Sequence, residues 1–215
     1  MAFYRSFSGG HSFRTDEAPE PLPRFISNQE VLMSRIPTPA TIDDAPEASR
    51  SLLEAVKKKF GMVPNIFRLV SNSPAALKGH LGLADALGHG ALPPQTRERI
   101  ALAIAEINGC QYCLSAHTYT GKNLAKLDDA EITANRSGRS NDLKADAAVN
   151  FAALVARSRG QVSEADIAAV KAAGYDDGQL LEIVQHVALN TWTNYVNEVF
   201  KTEIDFPRVN LRSVA

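Results

Sequence analysis

Apolar residues recur every three or four positions along most of the chain after residue 46, which is the spacing of amphipathic helices. Over residues 51–60 this spacing puts four apolar side chains on one helical face: Leu52, Leu53, Val56 and Phe60. The alternating apolar and polar pattern of a half-buried strand does not occur anywhere in the sequence. We therefore predict an all-α fold.

Breaks in the period divide this region into separate helices. Ser73-Pro74 pairs an N-cap residue with a proline at the first helical position, and Asn108-Gly109 interrupts a strong helical pattern. The segment from Ser163 to Asp166 resembles a capping box. We predict helices over residues 51–60, 74 to about 88, 95–107, 110 to about 127, 142–159, 163–174 and 177 to about 201. A short segment, residues 66–70, lies between the first two.

The N-terminal region has a different pattern. Six prolines break any regular helix there: Pro19, Pro21, Pro23, Pro37, Pro39 and Pro46. We expect residues 1–46 to form an extended or disordered arm, of which residues 1–32 are a candidate upstream extension. A helical domain over residues 47–207 and a short tail over residues 208–215 complete the predicted organisation.

Composition and charge exclude several classes of protein. The 215 residues carry a formal net charge of −1, so there is no overall field to attract nucleic acid. No run approaches the roughly 18 apolar residues of a membrane-spanning helix, and the first residues lack the apolar stretch of a signal peptide. We expect a cytoplasmic protein that binds neither nucleic acid nor membranes.

Candidate chemistry centres on the two cysteines, Cys110 and Cys113. A disulfide between residues this close closes almost no loop, so redox chemistry or metal binding explains the spacing better than a stabilising bridge. On a helix, His117 shares a face with both cysteines. A histidine there can accept a thiol proton and leave a nucleophilic thiolate, and the second cysteine can resolve a sulfenic acid to a disulfide.

Several alternatives stay open from the residues alone. The carboxylate that orients His117 is either Glu98 or Glu106, because the chain turns at Gly109 and sequence distance does not decide. Tyr112 packs over or shields the site, or lines a pocket with its hydroxyl. The two cysteines and the histidine also supply three zinc ligands, and the cysteines could simply be inert core residues.

Two asparagines in the last helix carry a further signal. Asn194 and Asn197 lie in an otherwise apolar segment, so we interpret them as polar residues that face a cavity or an interface. Glu182, Asn194 and Asn197 also repeat the spacing of Glu98, Cys110 and Cys113. This sparse match suggests two copies of a helix pair.

The segment 97–117, RERIALAIAEINGCQYCLSAH, resembles the core motif of the alkylhydroperoxidase D-like, carboxymuconolactone decarboxylase superfamily. Residues 34–39, 60–74 and 193–207 are similar to its uncharacterised peroxidase-related branch. The resemblance implies an all-α fold with a repeated helical hairpin, assembled into dimers, trimers or hexamers. It also implies a peroxidase that uses neither a cofactor nor a metal.

The same resemblance assigns roles to residues. The second cysteine, Cys113, is the peroxidatic one and Cys110 resolves it, while Glu98 and His117 form a proton relay. This pattern favours Glu98 over Glu106. The implied partners are a small-molecule peroxide and a thiol or dithiol reductant protein.

One position departs from the pattern, because Tyr112 stands where these relatives have a histidine. We therefore expect a simpler relay, with weaker or redirected activity toward alkyl hydroperoxides. The alternatives are a carboxymuconolactone decarboxylase-like lactone enzyme and a non-catalytic redox or zinc-binding module. The decarboxylase branch does not rely on a cysteine pair, so the intact pair argues against it.

Overall fold

The computed structural model describes residues 34–212, which form helices and connecting segments without strands. The all-α prediction is therefore confirmed. The helices are α1 (Glu47–Phe60), α2 (Asn65–Val70), α3 (Pro74–Gly88), α4 (Pro94–Ile107), α5 (Gln111–Asn123), α6 (Asp129–Arg136), α7 (Leu143–Ser158), α8 (Glu164–Ala172) and α9 (Asp177–Phe200).

Most helix ends follow from local capping. The Ser73 hydroxyl accepts a hydrogen bond from the Ala76 backbone N–H at the start of α3, and Ser163 forms the expected capping box with Asp166 at the start of α8. At the end of α1, Gly61 adopts a left-handed conformation with φ of 77°. These signals lie within a few residues of each end, so the sequence pattern locates them well.

The prediction was wrong in the segment after α5. This helix ends at Asn123, earlier than predicted, and a turn with Lys126 at φ of 58° follows it. The unpredicted helix α6 then begins, where the Asp128 side chain accepts a hydrogen bond from the Glu131 backbone N–H. With eight residues and Ile132 as its only large buried apolar side chain, α6 is too short and polar to show a helical period.

Helix α4 is the centre of the described structure. It packs against α5, α6, α7 and α9, and residues 100–105 are buried around its whole circumference. Leu102 faces one hydrophobic cluster that includes both cysteines, while Ile100 and Ile104 face a second cluster built with α7 and α9. A helix that is apolar on all sides requires neighbours on all sides. The packing around α4 therefore also holds the residues at its two ends in place.

The segments flanking the helices pack onto the same core. The Arg35 backbone N–H donates to the Phe200 carbonyl at 2.7 Å, and Ile36 and Ile42 contact the first cluster. After α9, the Val209 N–H donates to the Ser115 hydroxyl at 3.0 Å. Residues 1–33, with the candidate extension, and residues 213–215 of the tail lie outside the described residues.

No helix within residues 34–212 combines the length and the apolar character needed to cross a membrane.

Candidate active site

The turn between α4 and α5 brings the cysteines into position. Gly109, with φ of 66°, ends α4, and the Cys110 N–H donates to the Ala105 carbonyl at 2.9 Å while the Gly109 N–H donates to the Glu106 carbonyl at 3.2 Å. These two bonds form a Schellman motif, which favours glycine at the left-handed position. The residue that completes the motif, Cys110, is also the N-cap of α5. One compact turn therefore fixes the first thiol.

The second thiol lies on the first turn of α5. The Cys110 sulfur accepts a hydrogen bond from the Cys113 backbone N–H at 3.2 Å, in the way that a serine side chain caps a helix. Both cysteines are buried and neither is in a disulfide. The helix N-terminus beside them carries a partial positive charge, which favours a thiolate.

His117 and Glu98 form a hydrogen-bonded pair next to the thiols. Glu98 projects from α4, and its Oε2 atom lies 2.9 Å from His117 Nδ1. The Thr120 hydroxyl donates to the same oxygen at 2.7 Å, so the carboxylate is held from two sides. Both side chains of the pair remain about a quarter exposed, at 27% for the histidine and 25% for the glutamate. The site therefore has contact with solvent on the histidine side.

The charges of this pair stabilise each other. Burial opposes ionisation of Glu98, but the charge of His117 and the hydrogen bonds from His117 and Thr120 hold the Glu98 pKa below its usual value. Burial also disfavours the His117 cation, but the Glu98 charge and hydrogen bond raise the His117 pKa overall. The histidine is therefore biased toward the imidazolium form.

The two thiols differ in acidity. Burial raises the pKa of Cys113, but hydrogen bonding from the Cys110 thiol and the nearby His117 charge outweigh it and bring the pKa from 9.0 to about 7. The pKa of Cys110 is raised instead, first because its thiol donates to the Cys113 sulfur and second because it is buried. At neutral pH Cys113 is therefore partly ionised, whereas Cys110 remains a thiol.

Helix α9 contributes two amides to the same site. Asn197 Nδ2 donates to the Cys113 sulfur at 3.1 Å, and Asn194 Oδ1 accepts from Asn108 Nδ2 at 2.9 Å. Both amides help to lower the pKa of Cys113. The sequence suggested a cavity or an interface for these asparagines, but it carried no signal that they face the thiols. Thr120 was missed altogether, because one threonine on a helix is unremarkable in sequence.

Two other candidates from the sequence, Glu106 and Tyr112, lie apart from this chemistry. Glu106 accepts from Arg136 Nε at 2.7 Å and from the Arg212 backbone N–H at 2.7 Å, so it joins α6 and the tail to α4.

The Tyr112 hydroxyl donates to Asp205 Oδ1 at 2.8 Å and accepts from the Ile66 N–H at 3.2 Å. The ring of Tyr112 meets Phe206 edge to face. This buried tyrosine therefore joins α2 and the segment that follows α9 to α5.

Within residues 34–212, no group of three or more histidine, cysteine, aspartate and glutamate side chains converges as a set of metal ligands. The repeated spacing of Glu98, Cys110 and Cys113 in Glu182, Asn194 and Asn197 does not correspond to two matching helix pairs. Glu98 and Cys110 lie on different sides of the turn at Gly109, whereas Glu182 and Asn194 lie on the single helix α9.

The fold and the site together define an all-helical protein with a thiolate and thiol pair beside a histidine and glutamate pair. Residues 74–140, which span α3 to α6, match the carboxymuconolactone decarboxylase family. A comparison with curated proteins finds no significant match.

Solved structures share the fold over most of the chain. An alkylhydroperoxidase AhpD core protein from Ralstonia eutropha JMP134, described as peroxidase-related, is 25% identical with a TM-score of 0.72 and covers 80% of this chain and 92% of its own. An uncharacterised peroxidase-related protein from Silicibacter sp. TM1040 is 23% identical with a TM-score of 0.71, covering 82% and 94%. The debrominase Bmp8, in complex with 2,3,4-tribromopyrrole, is 19% identical with a TM-score of 0.65, covering 78% and 90%.

The chain is therefore similar to the alkylhydroperoxidase D-like, carboxymuconolactone decarboxylase superfamily, through the family match over residues 74–140 and the shared fold. The family and the structural neighbours both point to an enzyme of this type.

Proposed function

We propose that the protein is a thiol-dependent peroxidase that reduces hydroperoxides through a Cys110–Cys113 dithiol and disulfide cycle. The observation that carries the proposal is the placement of both thiols on one helical turn, where the Cys110 sulfur accepts from the Cys113 N–H at 3.2 Å. In this setting the pKa of Cys113 is lowered and that of Cys110 is raised. A peroxidase of this kind needs one nucleophilic thiolate and one neighbouring thiol that resolves the product.

The proposed reaction has two steps. The Cys113 thiolate attacks the terminal oxygen of R–O–O–H, the O–O bond breaks, and the leaving alkoxide takes a proton from His117 to become R–OH. Cys113 is left as a sulfenic acid. The sulfur of Cys110 then displaces the hydroxyl, which leaves as water with the Cys110 thiol proton, and the disulfide forms.

Two thiols of an external reductant return the disulfide to the dithiol and become oxidised to a disulfide themselves. Glu98 keeps His117 oriented, and its charge favours the return of a proton from solvent to the imidazole after the first step. Protein groups supply all of these steps, so the proposal requires neither an organic cofactor nor a metal. The need for continual re-reduction suits a reducing compartment, and we propose a cytoplasmic location with a thiol or dithiol protein as the reductant.

The test is a peroxide titration of the reduced protein. We expect hydrogen peroxide or cumene hydroperoxide to remove two free thiols per chain, and peroxide consumption to continue with dithiothreitol present. The variant Cys113→Ser should lose turnover, since it lacks the nucleophile. Wild-type turnover in that variant, or thiols that react only after a chelator is added, would refute the mechanism and favour a zinc-binding module.

A second candidate is reductive debromination, which the structural likeness to a debrominase favours. A thiolate on Cys113 can take bromine from a bromopyrrole carbon that gains a proton, and Cys110 can then displace bromide to form the same disulfide. Release of bromide from 2,3,4-tribromopyrrole, at a rate above that of peroxide reduction, would favour this reading. Lactone chemistry, by contrast, should survive the loss of both thiols in a Cys110→Ala, Cys113→Ala double variant.

We also propose that the protein forms a homo-oligomer through the outer face of α9. Six uncharged residues at spacings of three and four run along this face, five of them large exposed apolar side chains: Leu181, Val184, Ala188, Trp192, Tyr195 and Val199. Leu181 is 73% and Tyr195 58% exposed, which is unusual for a row of such side chains.

A second copy of the chain fits the dimensions of this face. The row is about 27 Å long at 1.5 Å per residue. The adjoining exposed residues of α3, such as Ala75 and Gly79, widen it to roughly two helix diameters. That area approaches the roughly 800 Å² per partner that stable interfaces bury. We expect Trp192→Lys to lower the mass measured by light scattering. Tyr119 is an exposed aromatic residue elsewhere, so Tyr119→Lys should leave the mass unchanged. A wild-type protein that is monomeric at 100 µM would refute the interface.

A further inference from the structure

Two buried polar atoms next to Cys113 have no hydrogen-bond partner within the protein. They are Nδ2 of Asn194 and Oδ1 of Asn197. The two residues are 0% and 2% exposed, so bulk water does not solvate them. An unsatisfied buried polar atom is unfavourable, and two together next to a reactive sulfur call for an explanation.

In each amide group, one of the two polar atoms is hydrogen-bonded, and the other has no partner. Asn194 uses its Oδ1 atom to accept from Asn108 at 2.9 Å, so its Nδ2 atom is a free donor. Asn197 uses its Nδ2 atom to donate to the Cys113 sulfur at 3.1 Å, so its Oδ1 atom is a free acceptor. Asn197 contacts the Cys113 sulfur directly and Asn194 also lowers the pKa of the same thiol, so both amides lie beside Cys113.

A hydroxyl group satisfies one donor and one acceptor at the same time. The attacked oxygen of a hydroperoxide is such a group, since it carries the hydrogen of R–O–O–H. We propose that Asn194 and Asn197 bind the O–H end of the hydroperoxide at the Cys113 sulfur, an inference that rests on the proposed peroxidase function. Asn194 Nδ2 donates to the attacked oxygen, and Asn197 Oδ1 accepts its hydrogen.

The same two contacts serve the product of the first step. When sulfur attacks and the O–O bond breaks, the oxygen keeps its hydrogen and becomes the hydroxyl of the Cys113 sulfenic acid. The electron pair of the broken bond leaves with the alkoxide, which takes its proton from His117. The amides therefore hold the transferred hydroxyl before and after transfer, and they restrict the substrate to peroxides with a terminal O–H.

The test compares two electrophiles in a Cys110→Ser background, where only Cys113 reacts. The rate constants for cumene hydroperoxide and for iodoacetamide are measured at a pH two units above the Cys113 pKa of each variant, so that the thiolate is complete. Since iodoacetamide transfers no hydroxyl, the ratio of the two rates isolates the proposed contact. We expect Asn194→Leu to lower this ratio at least about tenfold, as loss of one donor to a reacting oxygen typically does.

A second variant covers a failure of Asn194→Leu to fold. Asn194→Asp keeps the size of the side chain and the acceptor for Asn108 but replaces the donor, and it should lower the ratio similarly. The matched control is Asn190→Leu, on the same buried face of α9, where the amide donates to the His186 carbonyl instead. The control ratio should stay within about twofold of the background, with folding checked by circular dichroism.

The outcomes separate this inference from the proposed function. A parent protein whose Cys113 reacts with iodoacetamide but with no hydroperoxide would overturn the peroxidase and this inference together. A reactive parent with an unchanged ratio in the folded Asn194 variants would overturn this inference alone.

Discussion

The hydrogen bond from Cys110 to Cys113 can be separated from the resolving role of Cys110 by two substitutions. Both Cys110→Ser and Cys110→Ala abolish the disulfide. Serine keeps an O–H group that can donate to the Cys113 sulfur, whereas alanine keeps no donor. The two variants therefore differ in the stabilisation of the thiolate and not in the ability to resolve a sulfenic acid.

The expected size of the effect follows from the pKa of Cys113. With a pKa of about 7, half of Cys113 is thiolate at pH 7. The Cys110 hydrogen bond is the largest of the influences that lower this pKa, so we expect alanine to raise it by one unit or more. One unit lowers the thiolate at pH 7 about fivefold, and a full return to 9.0 lowers it about 50-fold. The full two-unit shift of the pKa corresponds to about 2.7 kcal/mol.

The assay is a single-turnover measurement. Thiolate absorbance at 240 nm gives the Cys113 pKa of each reduced variant, and stopped-flow mixing with hydrogen peroxide gives the oxidation rate. We expect Cys110→Ser to stay near the wild-type rate at pH 7 and Cys110→Ala to fall 5- to 50-fold, with the loss recovered as the pH passes the raised pKa. Equal Cys113 pKa values in the two variants would refute the argument.

The role of the Cys110 sulfur as a helix cap also predicts a difference in stability between the two variants. The Cys110 sulfur is the N-cap of α5, and replacing an N-cap side chain by alanine typically costs 0.5–2 kcal/mol. Denaturant unfolding should therefore give a lower free energy for the alanine variant than for the serine variant. Measuring both variants below pH 6, where Cys113 is protonated, keeps this comparison free of the thiolate.

Glu98→Gln should lower the His117 pKa and slow single-turnover oxidation at pH 7 about tenfold or more. The oxidation rate of Glu106→Gln should stay within about twofold of the wild-type rate, because only Glu98 contacts the histidine. An equal loss of rate in both variants would contradict the relay. The wild-type oxidation rate should rise through an apparent pKa of about 7, because the reactive form of Cys113 is deprotonated and its pKa lies below the ordinary 9.0. Activity therefore disappears as the pH falls through 7. A rate that does not depend on pH between 5 and 8 would exclude thiolate attack. Tyr112→Phe should lower the free energy of unfolding by roughly 1–3 kcal/mol through loss of two buried hydrogen bonds, with little change in the Cys113 pKa; unchanged thermal stability would show that these bonds contribute nothing.

Most of the helices could be predicted from local signals in the sequence. The glycine at position 61, the Ser73-Pro74 start and the capping box at Ser163 each depend on residues within one turn of the chain. Helix α6 was missed because its stability comes from contacts with α4 and from the Arg136 ion pair with Glu106, which no local pattern records. Tertiary contacts can hold a short polar helix that has little intrinsic tendency to form.

The sequence by itself determined the two thiols, their spacing on one helical turn and the histidine on the same face, because a helix fixes the neighbours of each residue at three and four positions. It could not choose Glu98 over Glu106 without a resemblance to known proteins, since that choice depends on how α4 and α5 pack across the turn at Gly109. Only the tertiary structure brought the α9 asparagines to the Cys113 sulfur, more than 80 positions along the chain from it. The acidity of a buried thiol is set by the donors and charges around it in space, and that environment is assembled only when α4, α5 and α9 pack together.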